Sequence, residues 1–271
     1  MEIAQITTIA SKEFWDRIRN RWVLSVALVF TAFALVIAYF GAAQQGSVGF
    51  HSIDVTIASL VSLVIYLIPL IALILGFDAI VGERERGSLD LLLSMPITRL
   101  ELLLGKYFGL AAALTFSTVA GFGLVAIVLS AQLDFTALLH YFGFMLSSVL
   151  LGCAFLSLAV MLSVFATDRT RASGLAIAMW FFFVLVFDLL LLGALVATGG
   201  QWGGEIFPYL LLANPADVFR ILNIFSLNEV RTLYGLTTVF PPALANPWLL
   251  SLVMLAWIAA PLGIATWRFR K

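Results

Sequence analysis

Six apolar stretches dominate the chain: Trp22 to Gly41, Thr56 to Ile80, Tyr107 to Ala131, His140 to Ala166, Ala172 to Ala197 and Pro247 to Trp267. A helix needs about 20 apolar residues to cross the roughly 30 Å hydrocarbon core of a bilayer, and each stretch supplies that length. The 271 residues are 62% hydrophobic and 11% charged, whereas soluble domains lie nearer half and a quarter. Buried fraction rises only slowly with chain length, so no water-soluble fold could hide this much apolar surface. The expected fold class is an all-α polytopic membrane protein with six transmembrane helices, one transmembrane domain over 1–271. Net charge is zero, which gives no reason to expect a nucleic-acid partner. Cys153 is the only cysteine, so an intrachain disulfide is excluded.

The basic residues give the orientation. Lys12, Arg17, Arg19 and Arg21 precede the first stretch; Arg84, Arg86, Arg99 and Lys106 lie between the second and third. Arg169 and Arg171 lie between the fourth and fifth, and Arg268, Arg270 and Lys271 follow the sixth. Only Arg220 and Arg231 fall in the other connections, so 13 of the 15 Lys and Arg residues sit on alternate loops. The positive-inside rule then predicts that both termini face the cytoplasm of a bacterial inner membrane.

Residues 1–21 read as an amphipathic helix. Ile6, Ala10, Phe14 and Ile18 form a stripe, with Lys12, Glu13, Asp16, Arg17 and Arg19 mostly elsewhere. Such a helix is expected to lie in the headgroup region with its apolar side in the acyl boundary. The first stretch is too long for a signal peptide and follows this leader.

The segment GFDAIVGERERGSLDLLLSMPITRLELLLGK, from Gly76 to Lys106, concentrates charge between the second and third spans. Ser88 is positioned to cap a short helix and Asp90 suits its positive end. Leu89, Leu91, Leu92 and Leu93 follow, and Pro96 stops the turn. A Leu-rich helix projecting into water between charged flanks needs a cover, either the membrane surface or a groove on a soluble partner. Gly87 permits a sharp turn.

Asp78, the run Gly82-Glu83-Arg84-Glu85-Arg86-Gly87-Ser88-Leu89, Leu91-Leu92, Pro96, Arg99, Glu101 and Gly105-Lys106 resemble the signature of type-2 ABC exporter permeases. The resemblance implies that region 81–106 carries a coupling helix seated in a cleft of a separate cytoplasmic ATPase. Glu83, Arg84, Glu85 and Arg86 would orient that partner, and Leu89, Leu91, Leu92 and Leu93 would supply apolar contact. The chain has no G-x-x-x-x-G-K-[ST] loop, so ATP and Mg are expected on the partner ATPase, with no cofactor in this chain. Neither G-x-S-x-G nor H-E-x-x-H occurs, His51 and His140 both fall at the outer face, and no enzyme activity is expected. Six spans form half a pathway, so a homodimer with two ATPase copies is expected.

Asp188 lies inside the fifth stretch, where its helical neighbours Val184, Leu191 and Leu192 offer no partner. It is placed on the pathway or dimer seam, or is protonated and bonded to a backbone or hydroxyl group. Gly105 and Gly109, then Gly121 and Gly123, should allow close helix packing, and Pro69 should kink the second span. Met145, Cys153 and Met161 fall roughly on one side of a helix, but methionine commonly fills packing gaps, and no metal site is assigned.

The connection 198–246 has structure of its own. GGQWGGE reads as a hinge, and IFPYLLLA should re-enter the interface. Asn214 is an N-cap, with Pro215 in the first turn and Asp217 third. Val218, Ile221, Leu222 and Phe225 form a stripe, and a second short helix is expected near Asn228. The segment is either a lid over the outer mouth or a docking platform using Val218, Phe219, Arg220, Leu222 and Arg231. DAIVGERERGSLDLLLSMPITRLELLLGKY and LLLANPADVFRI also resemble the permeases of nitrous oxide reductase maturation systems. That resemblance implies a role in denitrification, with copper carried by a periplasmic copper-handling β-helix protein, and mechanotransmission toward it. Generic export of a lipid, drug, glycan or sulfur species, or a scaffold role outside ABC systems, are the competing classes.

Overall fold

Helices α1 (Ile3–Arg19) and α2 (Trp22–Phe40) meet at Asn20 and Arg21, where the chain bends by 63°. Arg21 takes φ 55, the left-handed region that L side chains seldom occupy. Its carbonyl accepts from the Ser25 N–H at 2.9 Å and the Ser25 hydroxyl at 3.0 Å, which fixes the first turn of α2. This computed structural model describes residues 2–40, 53–130, 135–199, 207–224 and 246–270.

The chain continues through α3 (Ile53–Gly76), the short α4 (Val81–Glu85) and α5 (Ser88–Leu93), and the long α6 (Arg99–Ser130) and α7 (Phe135–Phe165). Next come α8 (Arg169–Phe181), a π-helical turn over Phe182–Val186 and α9 (Phe187–Ala197), which run on as one span. The short α10 (Phe207–Leu211), α11 (Pro215–Ile224) and the closing α12 (Pro247–Arg270) complete the order. No β-strand occurs among the described residues. Among the described residues, five helices are long and apolar enough to cross a membrane alone, and six if the bent α1–α2 pair counts as one. Each of the six apolar stretches falls on a helix. The third begins eight residues earlier than its apolar run, at Arg99, because Thr98 and Glu101 start the helix for it, as described below.

Between membrane helices the solvent is as apolar as leucine, so shape and hydrogen bonding select the packing. α7 occupies the centre, against α3, α6, α11 and α12. It is the most enclosed of these spans, and the α8–α9 span is the least enclosed. Aromatic rings step across the bundle: Phe30 to Phe122 at 5.2 Å, Phe122 to Phe144 at 5.3 Å, Phe144 to Phe219 at 6.3 Å. These steps join α2, α6, α7 and α11. The buried phenols are bonded too, Tyr141 donating to the Phe122 carbonyl at 3.2 Å and Tyr107 to that of Cys153 at 3.1 Å.

α1 packs along α6, and the reason is the G-x-x-x-G pair. A Cβ on Gly105 would stand 2.7 Å from the Ile9 Cβ, and one on Gly109 would stand 2.5 Å from the Ala10 carbonyl oxygen. The two backbones therefore touch. The leader's stripe thus meets protein rather than the acyl boundary: Ile6 is buried, and Phe14 sets its ring edge-on to Phe116 at 6.2 Å. Gly121 abuts Phe30, but Gly123 has nothing within 4 Å of its would-be Cβ and serves no close packing here.

Replacing glycine by alanine in a helix interior gains up to about 1 kcal/mol of propensity, while overpacking costs about 1–3 kcal/mol. Gly109→Ala should therefore destabilise and Gly123→Ala should be neutral or mildly stabilising, read as midpoints of thermal unfolding in detergent. Equal midpoints for the two variants would show that the α1–α6 contact yields freely.

Candidate functional site

The charged segment between α3 and α6 is fastened to the bundle at its first half and projects at its second. α3 ends at Gly76, and at the start of α4 the backbone finds a side-chain acceptor on α7: Ser163 Oγ accepts from the Ile80 N–H at 2.9 Å and the Val81 N–H at 3.0 Å. Asp78 faces Arg169 at the start of α8, with Nη2 donating to Oδ2 at 2.9 Å and Nε 2.8 Å from Oδ1. Glu85 accepts from the Arg169 N–H at 2.8 Å, and Arg84 Nη1 donates to the Ala166 carbonyl at 2.8 Å. α4 is thereby held to the α7–α8 connection from both sides.

Gly87 then turns the chain with φ 70 and stands at the N-cap of α5. Only a residue without Cβ takes this backbone freely. Ser88 is the first helical residue and not the cap expected from sequence. Its hydroxyl donates to the Glu83 carboxylate, an ionised acceptor that outcompetes a neutral capping arrangement. Leu89 is buried, Leu92 and Leu93 are half-buried, and Leu91 is 66% exposed. Met95 beyond the helix end is also exposed. Glu85, Arg86 and Asp90 share that outer surface. The predicted patch thus divides: Leu91 and Arg86 are exposed, Glu85 is exposed but tied to the Arg169 N–H, and Glu83 and Leu89 face the protein.

Glu83 belongs to a buried ion cluster. Lys106 on α6, 4% exposed, places Nζ 3.0 Å from Glu83 Oε1 and 2.9 Å from Oε1 of Glu13 on α1. Lys12 reaches the same Glu13 oxygen at 3.3 Å. Burial opposes the charge on Glu13, but the Lys106 ammonium and its hydrogen bond outweigh it, and the carboxyl titrates below its ordinary value. Glu83 is lowered in the same way, its burial overcome by the Ser88 hydroxyl and Lys106. Next to the cluster, Thr98 and Glu101 form a reciprocal cap for α6. Glu101 accepts from the Thr98 N–H and hydroxyl, each at 2.8 Å, and the Glu101 N–H points back to Thr98 Oγ1 at 3.3 Å. The Glu2 N–H adds a bond at 2.6 Å. The backbone donors of Thr98 and Glu2 hold the Glu101 carboxyl down at about 2. Arg99 donates to the Phe269 carbonyl at 3.0 Å, so both ends of the described chain lie at this end of the bundle.

Sequence reasoning left Glu13 out of the site. Its signal was its place: three residues after Ala10 and seven after Ile6, a carboxylate on the packed face of a helix. Asp78, Ser163 and Arg169 carry no comparable local mark.

A second polar cluster lies away from this end. Asp188 is paired after all, though not along its own helix: Arg220 Nη2 is 3.0 Å from its Oδ2, and Nη1 is 2.6 Å from Asp217 Oδ1. Arg220 is 188's partner from 32 residues downstream, so no helical-neighbour reading could find it. Asn214 caps α11 as expected, its Oδ1 accepting from the Ala216 N–H at 3.0 Å. Its amide also donates to Asp217 at 2.9 Å and to the Phe183 carbonyl inside the π-helical turn at 2.8 Å. α11 therefore folds inward. Val218 and Phe219 are fully buried and Leu222 is half-buried, because the Phe219 ring completes the ladder through Phe144. Val218 and Phe219 offer no outer docking surface in this chain, and Arg220 is committed to its two aspartates. Arg231, Phe225, His51, residues 200–205 of the GGQWGGE hinge and the helix expected near Asn228 fall outside the described residues.

Residues 7–271 match the family described as ABC-2 family transporter protein. A relative from Pseudomonas aeruginosa, named Probable ABC transporter permease protein NosY, is 44% identical over 272 residues, covering 98% of each chain. A Stutzerimonas stutzeri protein of the same name is 43% identical over 271 residues, again covering 98% of each.

Removing one partner of a buried ion pair strands the other charges. Lys106→Met should cost about 3–5 kcal/mol of stability near pH 7. With the lysine present, the lowered carboxyls contribute fully above the ordinary carboxylate pKa and lose that contribution as pH falls through their depressed values. With it absent, burial raises them, so protonation relieves the stranded charges and the deficit should shrink toward about pH 5. Thermal unfolding of both proteins across that range checks this. A deficit constant with pH would assign the loss to packing alone.

Proposed function

Because the chain belongs to the ABC-2 transporter family and is a permease subunit of an ABC transporter, we propose that α5 is the coupling helix through which a separate cytoplasmic ATPase drives it. The observation that carries this reading is the division of the charged segment. One half is clamped by Glu83, Arg84, Glu85 and Asp78, and the other presents the exposed Leu91 and Asp90. A helix that is rigidly backed and apolar at its tip transmits force in a way that a free loop cannot. The basic ends of the helices collect at the same side as α5, which supports a cytoplasmic placement of that end and of both termini. The ATPase holds the ATP and Mg; this chain supplies the lever.

The family and the sequence resemblance together support a wider assembly. Two copies of this chain pair with two ATPases, and a periplasmic copper-handling β-helix protein binds outside. ATP cycling moves α5, α6 and α1 as one body, and the movement reaches the outer segment through α7 and α11. The output is a change in the periplasmic partner that serves copper-site assembly in nitrous oxide reductase maturation. Of the outer-loop residues, Arg231 and the half-buried Leu222 remain with the docking role.

Leu91→Asp should abolish co-purification of the ATPase while membrane insertion and thermal stability stay near wild type, since the side chain is already in solvent. Retained co-purification would remove α5 from the coupling role. Native mass spectrometry of gently purified protein is expected to show two permeases, two ATPases and a periplasmic subunit. Two permeases with two ATPases alone, with ATPase activity stimulated by a lipid, drug or glycan, would support export instead.

A further inference from the structure

A groove of ≈ 550 Å³ runs beside the α1–α2 bend, lined by Ile18, Arg21, Leu24, Leu28, Phe116 and Leu124 with neighbouring small residues. Its walls are aliphatic and aromatic along nearly the whole length. The hydroxyl of Thr31 at its far end is already bonded to the carbonyls of Ala27 at 2.8 Å and Gly121 at 3.2 Å. The single charge is Arg21, at one end. Leu24 is 65% exposed and Phe116 and Leu124 are each 53% exposed, so the slot is open rather than filled by the protein's own side chains.

The dimensions match one leaflet. Ten residues of helix separate Arg21 from Thr31, which is about 15 Å at 1.5 Å per residue. Half of a roughly 30 Å hydrocarbon core is the same length. α6 runs alongside in the same sense, Phe116 lying level with Phe14 on α1 and Gly121 level with Thr31. The groove therefore begins at the level of the amphipathic α1 and descends about one acyl chain's depth. Arg21 is free to meet an anion at its mouth. Among the described residues no carboxylate is ion-paired with it, because the preceding acid, Asp16, is held by Lys12 at 3.2 Å. Arg17 and Arg19 in the last turn of α1 add to the positive field. The left-handed backbone at Arg21 places this residue at the bend itself.

We propose that this groove is a binding site for an anionic phospholipid of the leaflet on the basic side. One acyl chain lies along Leu24, Leu28 and Leu124, and the phosphate meets the Arg21 guanidinium. The charge at the mouth selects anionic over zwitterionic headgroups, and the slot distinguishes a lipid from a free anion.

The test uses the full chain purified in mild detergent and offered equal amounts of phosphatidylglycerol and phosphatidylcholine with identical acyl chains, with bound lipid read by native mass spectrometry. Wild type should prefer phosphatidylglycerol by about fivefold, the discrimination that one arginine provides at a membrane surface. Arg21→Gln should abolish the preference while total bound lipid is unchanged. Ala120 is one of the small residues lining the groove, and Ala120→Phe, which fills the slot, should lower retention of both lipids. Inorganic phosphate should not displace the lipid. Equal retention of the two lipids by wild type, which needs no variant, would overturn the proposal. So would an unaltered preference in Arg21→Gln, unchanged retention in Ala120→Phe, or displacement by phosphate. Efficient disulfide formation between two copies of Leu28→Cys in native membranes would show a second copy covering the groove, and would also overturn it.

Discussion

The Lys106 ammonium is taken almost wholly out of solvent, and the architecture of the charged end follows from what that requires. Removing such an ion from water costs several kcal/mol even after relaxation, and the cost is recovered only if oxygens with good geometry surround it. Two carboxylates do so, from residues 93 and 23 positions away in sequence. The leader helix α1, the charged segment and α6 are thereby joined at one atom. Gly105 and Gly109 bring the backbones close enough for Glu13 to reach, and Gly87 turns α5 outward from the clamped side. The exposed leucine at the tip is consequently mounted on three helices rather than on a loop.

The same rule shapes the remote cluster. A carboxylate within a span is tolerated where a partner is supplied from inside the protein. Arg220 supplies it to Asp188, and in doing so draws α11 inward. Asn214 adds a bond to a carbonyl of the π-helical turn, a place where the ladder of a regular helix is interrupted. Phe219 then closes the ring sequence that begins at Phe30. An outer segment anchored by an ion pair, an amide and a buried ring moves with the spans. Under the proposed reading, that linkage lets force arriving at α5 reach the opposite side.

Much of this was legible beforehand, for identifiable reasons. Spans are read from uninterrupted apolar length, so all six fell on helices. The motif at Glu83 to Leu89 depends on local spacing and was visible, as were the N-cap at Asn214 and the close approach at Gly105 and Gly109. What misled were side chains whose roles are set across the fold. Ser88 looked like a cap because serine before a leucine run usually is one; a carboxylate five residues earlier claimed its proton. Val218, on the apolar stripe, and Phe219 beside it looked like docking residues because periodicity identifies an apolar face without saying what it faces.

By itself, then, the sequence determined the class, the spans, the basic ends that gather on one side and the short helix that carries the signature. These depend on composition and on neighbours within a few turns, where the 1.5 Å rise and the thickness of hydrocarbon leave few choices. The tertiary structure alone decided which charges are buried together, that Asp188 belongs to Arg220, that Glu83 faces in and Leu91 out, and that the leader lies on α6. Those outcomes depend on distances between residues far apart in the chain, and for a buried charge the identity of the partner matters more than the residue's own place in the sequence.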